Sequence, residues 1–150
     1  MNFRVVTICG SARKEVQKIP LECAVFKEEW GIEGDAHAGK WHRQVSFLAE
    51  EVCTPAWQRI RQKNPGIYAG PGAFGENILT RGIEWNQVDV GGRITIGEVE
   101  LEVTQRGKPL HQENAILRLT GESVLPDQGV FARVIHGGVI HAGDLGTYRI

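Results

Sequence analysis

The sequence predicts a mainly β protein of the sandwich or barrel kind, and three observations carry that prediction. Short apolar runs recur at about ten-residue spacing (Ile83 to Trp85, Ile94 to Ile96, Val99 to Thr104), punctuated by Arg81-Gly82, Gly91-Gly92 and Gly97-Glu98. Such spacing belongs to all-β folds rather than to repeated βαβ units. The run 99-VELEVT-104 alternates apolar and polar residues, as a strand with one buried face requires. The N-terminal run Phe3 to Cys9 is rich in β-branched residues and stops at Gly10-Ser11.

Taken in order, Phe3 to Cys9 is a first strand, Ser11 to Lys18 a loop, and Leu21 to Phe26 a second strand with Cys23 on its buried face. The cations Arg13, Lys14 and Lys18 of the loop read as solvated surface that can face an anion. Gln44 to Phe47 is a short strand, and a helical pattern starts at Leu48 with Glu50 and Glu51 in its first turn, where the helix dipole favours them. Thr54-Pro55 resembles a new N-cap with proline at the first helical position, so two helical pieces are expected. Ala56, Trp57 and Ile60 form the apolar face of the second piece, and Asn64-Pro65-Gly66 ends it. Tyr68 to Glu76 is loop, Asn77 to Thr80 a strand, and Glu113 to Leu119 a short helix ending near Gly121. Val130 to Ile135 and two further short strands divided by glycine turns complete the chain.

A length of 150 residues suits one domain with one core, and no linker or repeat divides it. The formal net charge of -1 gives no electrostatic footprint for nucleic acid or a membrane surface, so any anion site must be local. No apolar run is long enough to span a bilayer. Three cysteines without CxxC spacing argue against a disulfide framework or zinc ribbon and for a reducing cytoplasm.

Polar chemistry concentrates in 31-GIEGDAHAGKWHRQV-45 and again in 105-QRGKPLH-111. Glycines let backbone amides approach a ligand, and Lys40, Arg43, Arg106 and Lys108 supply cations suited to phosphate. Free imidazole changes charge near pH 7, so His37, His42 and His111 could shuttle protons there, and His37 and His111 are the catalytic candidates. The histidine pairs 37/42 and 136/141 are five apart and no HExxH word exists, so no metal ligands are assigned. GxSxG and the P-loop are absent, and 70-GPGAFG-75 fits a dinucleotide fingerprint by spacing alone.

The words GIEGDAHAG (31–39), RQVSFLAEE (43–51), FGENI (74–78), VTQRGKP (103–109) and GVFARVIHGGVIHAGD (129–144) resemble the MOSC domain family in their order, above all its small free-standing bacterial members. The resemblance implies a closed, mostly antiparallel β-barrel with a few short helices and an association with molybdopterin-type cofactors and molybdenum. It further implies sulfur transfer, with pyridoxal phosphate carried by a separate domain in fused members, and in related members the reduction of N-hydroxylated compounds. A cysteine desulfurase or a molybdoenzyme is the partner it suggests, and a small phosphorylated ligand is what the cations suggest. By this resemblance the pocket residues are Gly34, Asp35, His37, Lys40, Arg43, Glu76, Asn77 and Lys108.

The family's reactive cysteines fall at Leu110, Asn114 and Ser123. Neither leucine nor asparagine replaces a thiolate as sulfur nucleophile or soft ligand. A non-catalytic ligand carrier is therefore the alternative to a sulfurtransferase. A covalent pyridoxal phosphate would need a lysine of depressed pKa.

Overall fold

A computed structural model of the chain describes residues 1–109 and 114–150. Eleven strands and three helices are described: β1 (Asn2–Gly10), β2 (Ile19–Leu21), β3 (Cys23–Lys27), β4 (Gly31–Ile32), β5 (Val45–Ala49), α1 (Glu50–Lys63), β6 (Ile78–Arg81), β7 (Arg93–Ile96), β8 (Val99–Arg106), α2 (Ala115–Thr120), α3 (Val124–Gln128), β9 (Val130–His136), β10 (Gly138–His141) and β11 (Leu145–Arg149). Seven of them close into a barrel in the order β1-β11-β7-β8-β9-β5-β6, with β6 returning to β1. β2 extends one side of it, and β10-β3-β4 form a separate small sheet.

The barrel is mixed. Six of the seven neighbouring pairs are antiparallel, but β5 and β6 run parallel, with Phe47 opposite Ile78 and Ala49 opposite Thr80. A parallel pair needs a crossover, and α1 provides it. That one βαβ unit explains why β5 is buried on both faces instead of alternating. Val45, Phe47 and Ala49 join the barrel interior, while Leu48 packs outward with Cys53, Ala56, Trp57 and Ile60 of α1.

The helix is a single piece, which corrects the two expected from Thr54-Pro55. Pro55 lies inside it and removes only the bond that its N–H would give the Glu51 carbonyl. Thr54 points back to the Glu50 carbonyl at 2.9 Å rather than capping a new helix. Residues 53, 56, 57 and 60 make one continuous apolar face across the proline, and burial of that face outweighs the missing bond.

Three further expectations change. Leu21 to Phe26 is broken at Glu22 into β2 and β3, and Cys23 faces solvent, not the core. Ala24 and Phe26 occupy the buried phase of β3, with Ala24 opposite the buried Ile140; the largest side chain sets the phase. Ile83 to Trp85 is not a strand, because the chain turns through a 3-10 helix at Trp85–Gln87. This drops the Trp85 indole into the barrel, where Nε1 donates to Thr80 Oγ1 at 2.8 Å and the rings of Phe3 and Phe47 lie 5.4 and 5.0 Å away. β5 continues to Ala49 before the helix begins at Glu50. The alternation predicted for Val99 to Thr104 is observed: Val99, Leu101 and Val103 are fully buried.

Candidate functional site

The glycine-rich segment folds around Asp35. Its carboxylate is buried and accepts hydrogen bonds from the Lys18 ammonium at 2.7 Å and from the amides of Ser11 and His37, both at 3.1 Å. Burial works to raise its pKa, but Lys18 and the two amides hold the carboxyl below its usual range. Lys18, expected to be solvated, is instead 2% exposed and also donates to Ser11 Oγ. Asp35 and Lys18 thus saturate one another and fix the glycine-rich segment to the loop after β1.

His37 leaves this hub with Nδ1 4.0 Å from Asp35 Oδ2. Burial and the charge of Lys18, followed by Lys108 and Lys14, push its pKa down to about 4 against the opposing pull of Asp35. The imidazole is therefore neutral at physiological pH.

A second hub precedes β6. Glu76 is fully buried, and its carboxylate accepts from the amides of Gly72 at 2.8 Å and Phe74 at 3.1 Å. Burial raises its pKa to about 7 even though those amides work the other way. Asn77 clamps three strands: its Oδ1 accepts from Ser46 N and Oγ, and its Nδ2 donates to the Cys9 carbonyl. Gly72, at φ 88°, also accepts from Lys18 N through its carbonyl, and a Cβ there would collide with the Lys18 backbone.

Between these hubs and α2 and α3 lies a cavity of about 650 Å³. Its walls include Lys14, His37, Trp41, Arg43, Asn77, Lys108 and Phe131. The guanidinium carbon of Arg43 lies 5.0 Å from the Trp41 ring and 5.8 Å from that of Phe131, and the Lys108 ammonium is 5.9 Å from the Phe131 ring. Burial, then the neighbouring Arg43 charge, lowers the pKa of Lys108. Arg43 Nε is buried without a hydrogen-bond partner; Trp57 Nε1, within α1, is the other such atom among the described residues. Gly107 brings Lys108 in at φ 64°, with its own amide on the Gly129 carbonyl and that of Lys108 on the Pro126 carbonyl.

Of the residues singled out by sequence, His37, Arg43, Asn77 and Lys108 line the cavity. Asp35 and Glu76 lie behind its wall as buried anchors, whereas Gly34 and Lys40 are exposed and outside the lining. His111 and Leu110 lie outside the described residues. Asn114 and Ser123 line the cavity, and Asn114 Oδ1 caps α2 by accepting from Leu117 N at 3.0 Å. Sequence reasoning did not mark Trp41, Phe131 or the short helix α3. Trp41 and Phe131 read as ordinary apolar residues, and Val124 to Gln128 is too brief for a helical period. Among the described residues no three His, Cys, Asp or Glu side chains gather as a metal cluster.

A seven-stranded mixed barrel with a cation-lined cavity beside its parallel pair defines the class of protein. The chain belongs to the MOSC domain family, whose model matches residues 34–145. Among solved structures it resembles the YuaD protein from Bacillus subtilis, with a TM-score of 0.77 at 18% identity, covering 100% of this chain and 97% of that one. It also resembles YiiM from Escherichia coli, with a TM-score of 0.71 at 22% identity over 100% of this chain and 70% of that one. YiiM from Geobacillus stearothermophilus gives a TM-score of 0.70 at 18% identity over 99% and 75%. No curated protein sequence matches the chain.

Proposed function

We propose that this MOSC-domain protein binds a phosphorylated ligand of the molybdopterin type in the cavity between the glycine-rich segment and α2 and α3, with Arg43 and Lys108 on the phosphate. The observation that carries this is Arg43 Nε, a buried donor in the cavity wall without a partner among the described residues. A buried N–H left unbonded costs about 1–3 kcal/mol, and an anionic oxygen placed there removes that cost. A volume of about 650 Å³ suits a small organic ligand. The rings of Trp41 and Phe131 give a flat heterocycle an apolar neighbour, and neutral His37 offers it a hydrogen bond. The family's tie to the molybdenum cofactor supports the pterin. Such a cofactor would bring redox and atom-transfer chemistry, while the chain's own residues bind and orient it.

A carrier role, delivering the ligand to a molybdoenzyme, to a system fed by a cysteine desulfurase or to one reducing N-hydroxylated compounds, is favoured over direct sulfur transfer by one observation. Asn114 and Ser123 line the cavity at two of the positions where the family's thiols are expected, and the Asn114 side chain is committed to capping α2. The reading is tested by titrating the purified protein with a phosphorylated pterin at two salt concentrations. Binding is expected to weaken with salt, and Arg43→Ala to weaken it by about tenfold or more, as loss of a charged hydrogen bond does. Equal affinity in that variant would remove this cavity as the site.

A further inference from the structure

The cations around the cavity are not two but three, and they alternate with aromatic rings. The Lys14 ammonium lies 5.8 Å from the Trp41 ring centroid, Arg43 lies 5.0 Å from the same ring, and Arg43 and Lys108 share Phe131. Among the described residues none of the three has a carboxylate partner. Of the two carboxylates on the lining, Glu122 is neutralised by Arg59 at 2.9 Å and Glu15 is exposed. With His37 uncharged, the lining itself carries a net charge of +1, and the site is at +2 once Arg59, outside the lining, is counted against Glu122.

Lys14 is held at the cavity by its segment. Ser11 and Lys18, at the two ends, are tied to Asp35, and Gln17 Nε2 donates to the carbonyls of Tyr68 at 2.9 Å and Ala73 at 3.2 Å. Between these ties the chain turns at Glu15, a non-glycine residue at φ 60°. Left-handed backbone at such a residue is strained and persists only where the surroundings impose it.

Resting on the phosphate reading above, we infer that Lys14 is the charge-selecting residue of the site: with Arg43 and Lys108 it makes the cavity specific for a dianionic phosphomonoester over a singly charged phosphodiester. Arg43, with its unpartnered Nε, supplies directed hydrogen bonds to any phosphate oxygen. Lys14, at the end of an exposed stem, supplies charge, so it matters most when the ligand carries a second negative charge.

The test uses phenyl phosphate and methyl phenyl phosphate, which share a ring and differ by one charge at about pH 8, well above a phosphomonoester's second pKa near 6. Calorimetric titration of the whole protein is expected to give tighter binding of phenyl phosphate. Lys14→Met removes the charge but keeps an unbranched side chain, and is expected to weaken phenyl phosphate about five- to tenfold and the diester about two- to threefold, half the Coulomb energy for half the charge. Lys14→Arg should restore the preference, and Arg13→Met, a neighbouring cation outside the lining, should leave both affinities unchanged. Equal weakening of both probes by Lys14→Met, or of either probe by Arg13→Met, overturns the inference while leaving the cavity intact as a phosphate site. Failure of the wild-type protein to bind either probe overturns both.

Discussion

The Lys18 ammonium lies 2.7 Å from the Asp35 carboxylate, and both side chains are almost wholly withdrawn from solvent, at 1% and 0% exposure. Two segments far apart in sequence are tied together by this pair and the amides around it. Removing one charge strands the other, so Lys18→Met or Asp35→Asn is expected to cost roughly 3–5 kcal/mol, and the double substitution less than the sum. Urea unfolding of the four proteins measures this; additive costs would mean the two residues do not act as a pair. The pair also sets an acid limit. Because the folded pKa of Asp35 is depressed, its stabilisation is present above its unfolded value near 4 and is lost as pH falls through the lower folded value.

Glu76 behaves in the opposite sense. Its folded pKa, about 7, stands above the ordinary 4.5, so the native state holds a proton that the unfolded chain has released between those values. Stability should therefore decline as pH rises from about 4.5 to 7 and level off above, a change on the order of 3 kcal/mol at most. Glu76→Gln should flatten that slope. Unfolding midpoints across the range check it, and a slope identical to the wild type would exclude Glu76 as its source.

Gly72 and Gly34 both have left-handed backbone, at φ 88° and 85°. A Cβ at Gly34 meets nothing within 4 Å, whereas at Gly72 it meets the Lys18 backbone. Gly34→Ala is expected to cost about 1 kcal/mol and Gly72→Ala distinctly more, since strain and collision add. Thermal unfolding separates the two, and comparable midpoints would show that the loop yields.

The three thiols differ in access. Burial raises the pKa of Cys9 and Cys53, and Glu76 adds to it, while Cys23 is exposed. A thiol reagent is expected to modify Cys23 alone in the native protein, by mass spectrometry, with Cys9 and Cys53 reacting only after unfolding. Incubation with a cysteine desulfurase and labelled sulfur should leave no persulfide on the chain. Label on any of the three cysteines would restore sulfur transfer as this chain's own reaction.

Where the residue pattern had a single physical cause, it could be read without the structure. The β8 alternation and the glycine-bounded strands β1 and β7 depend on local burial and turn geometry alone. Pro55 misled because its local effect was outweighed by an apolar face completed only when α1 crosses from β5 to β6. The sequence alternation puts Cys23 in the wrong phase because Leu21 belongs to a different strand from Val25. Of the candidate site, the glycine-rich segment and Lys108 were legible as motifs. The division of labour within them was not, since a buried anchor such as Asp35 and a cavity cation such as Arg43 look alike until their partners are known. Lys14 and Lys18 stand four apart in one basic loop, and only packing tells the exposed one at the cavity from the buried one at the anchor.

The pairing of β11 with both β1 and β7 has a consequence for how the molecule is made. β1 waits for β11, with Phe3 opposite Gly146. Closure is thus a contact of very high sequence separation, the kind that slows folding and delays it until β11 is available. Until then β1 and β7 each present an open hydrogen-bonding edge, the surface on which nascent chains pair with one another. A chain ending before Leu145 would keep its cavity-lining residues and still have a seam, and its fate should be association rather than a ligand-binding monomer.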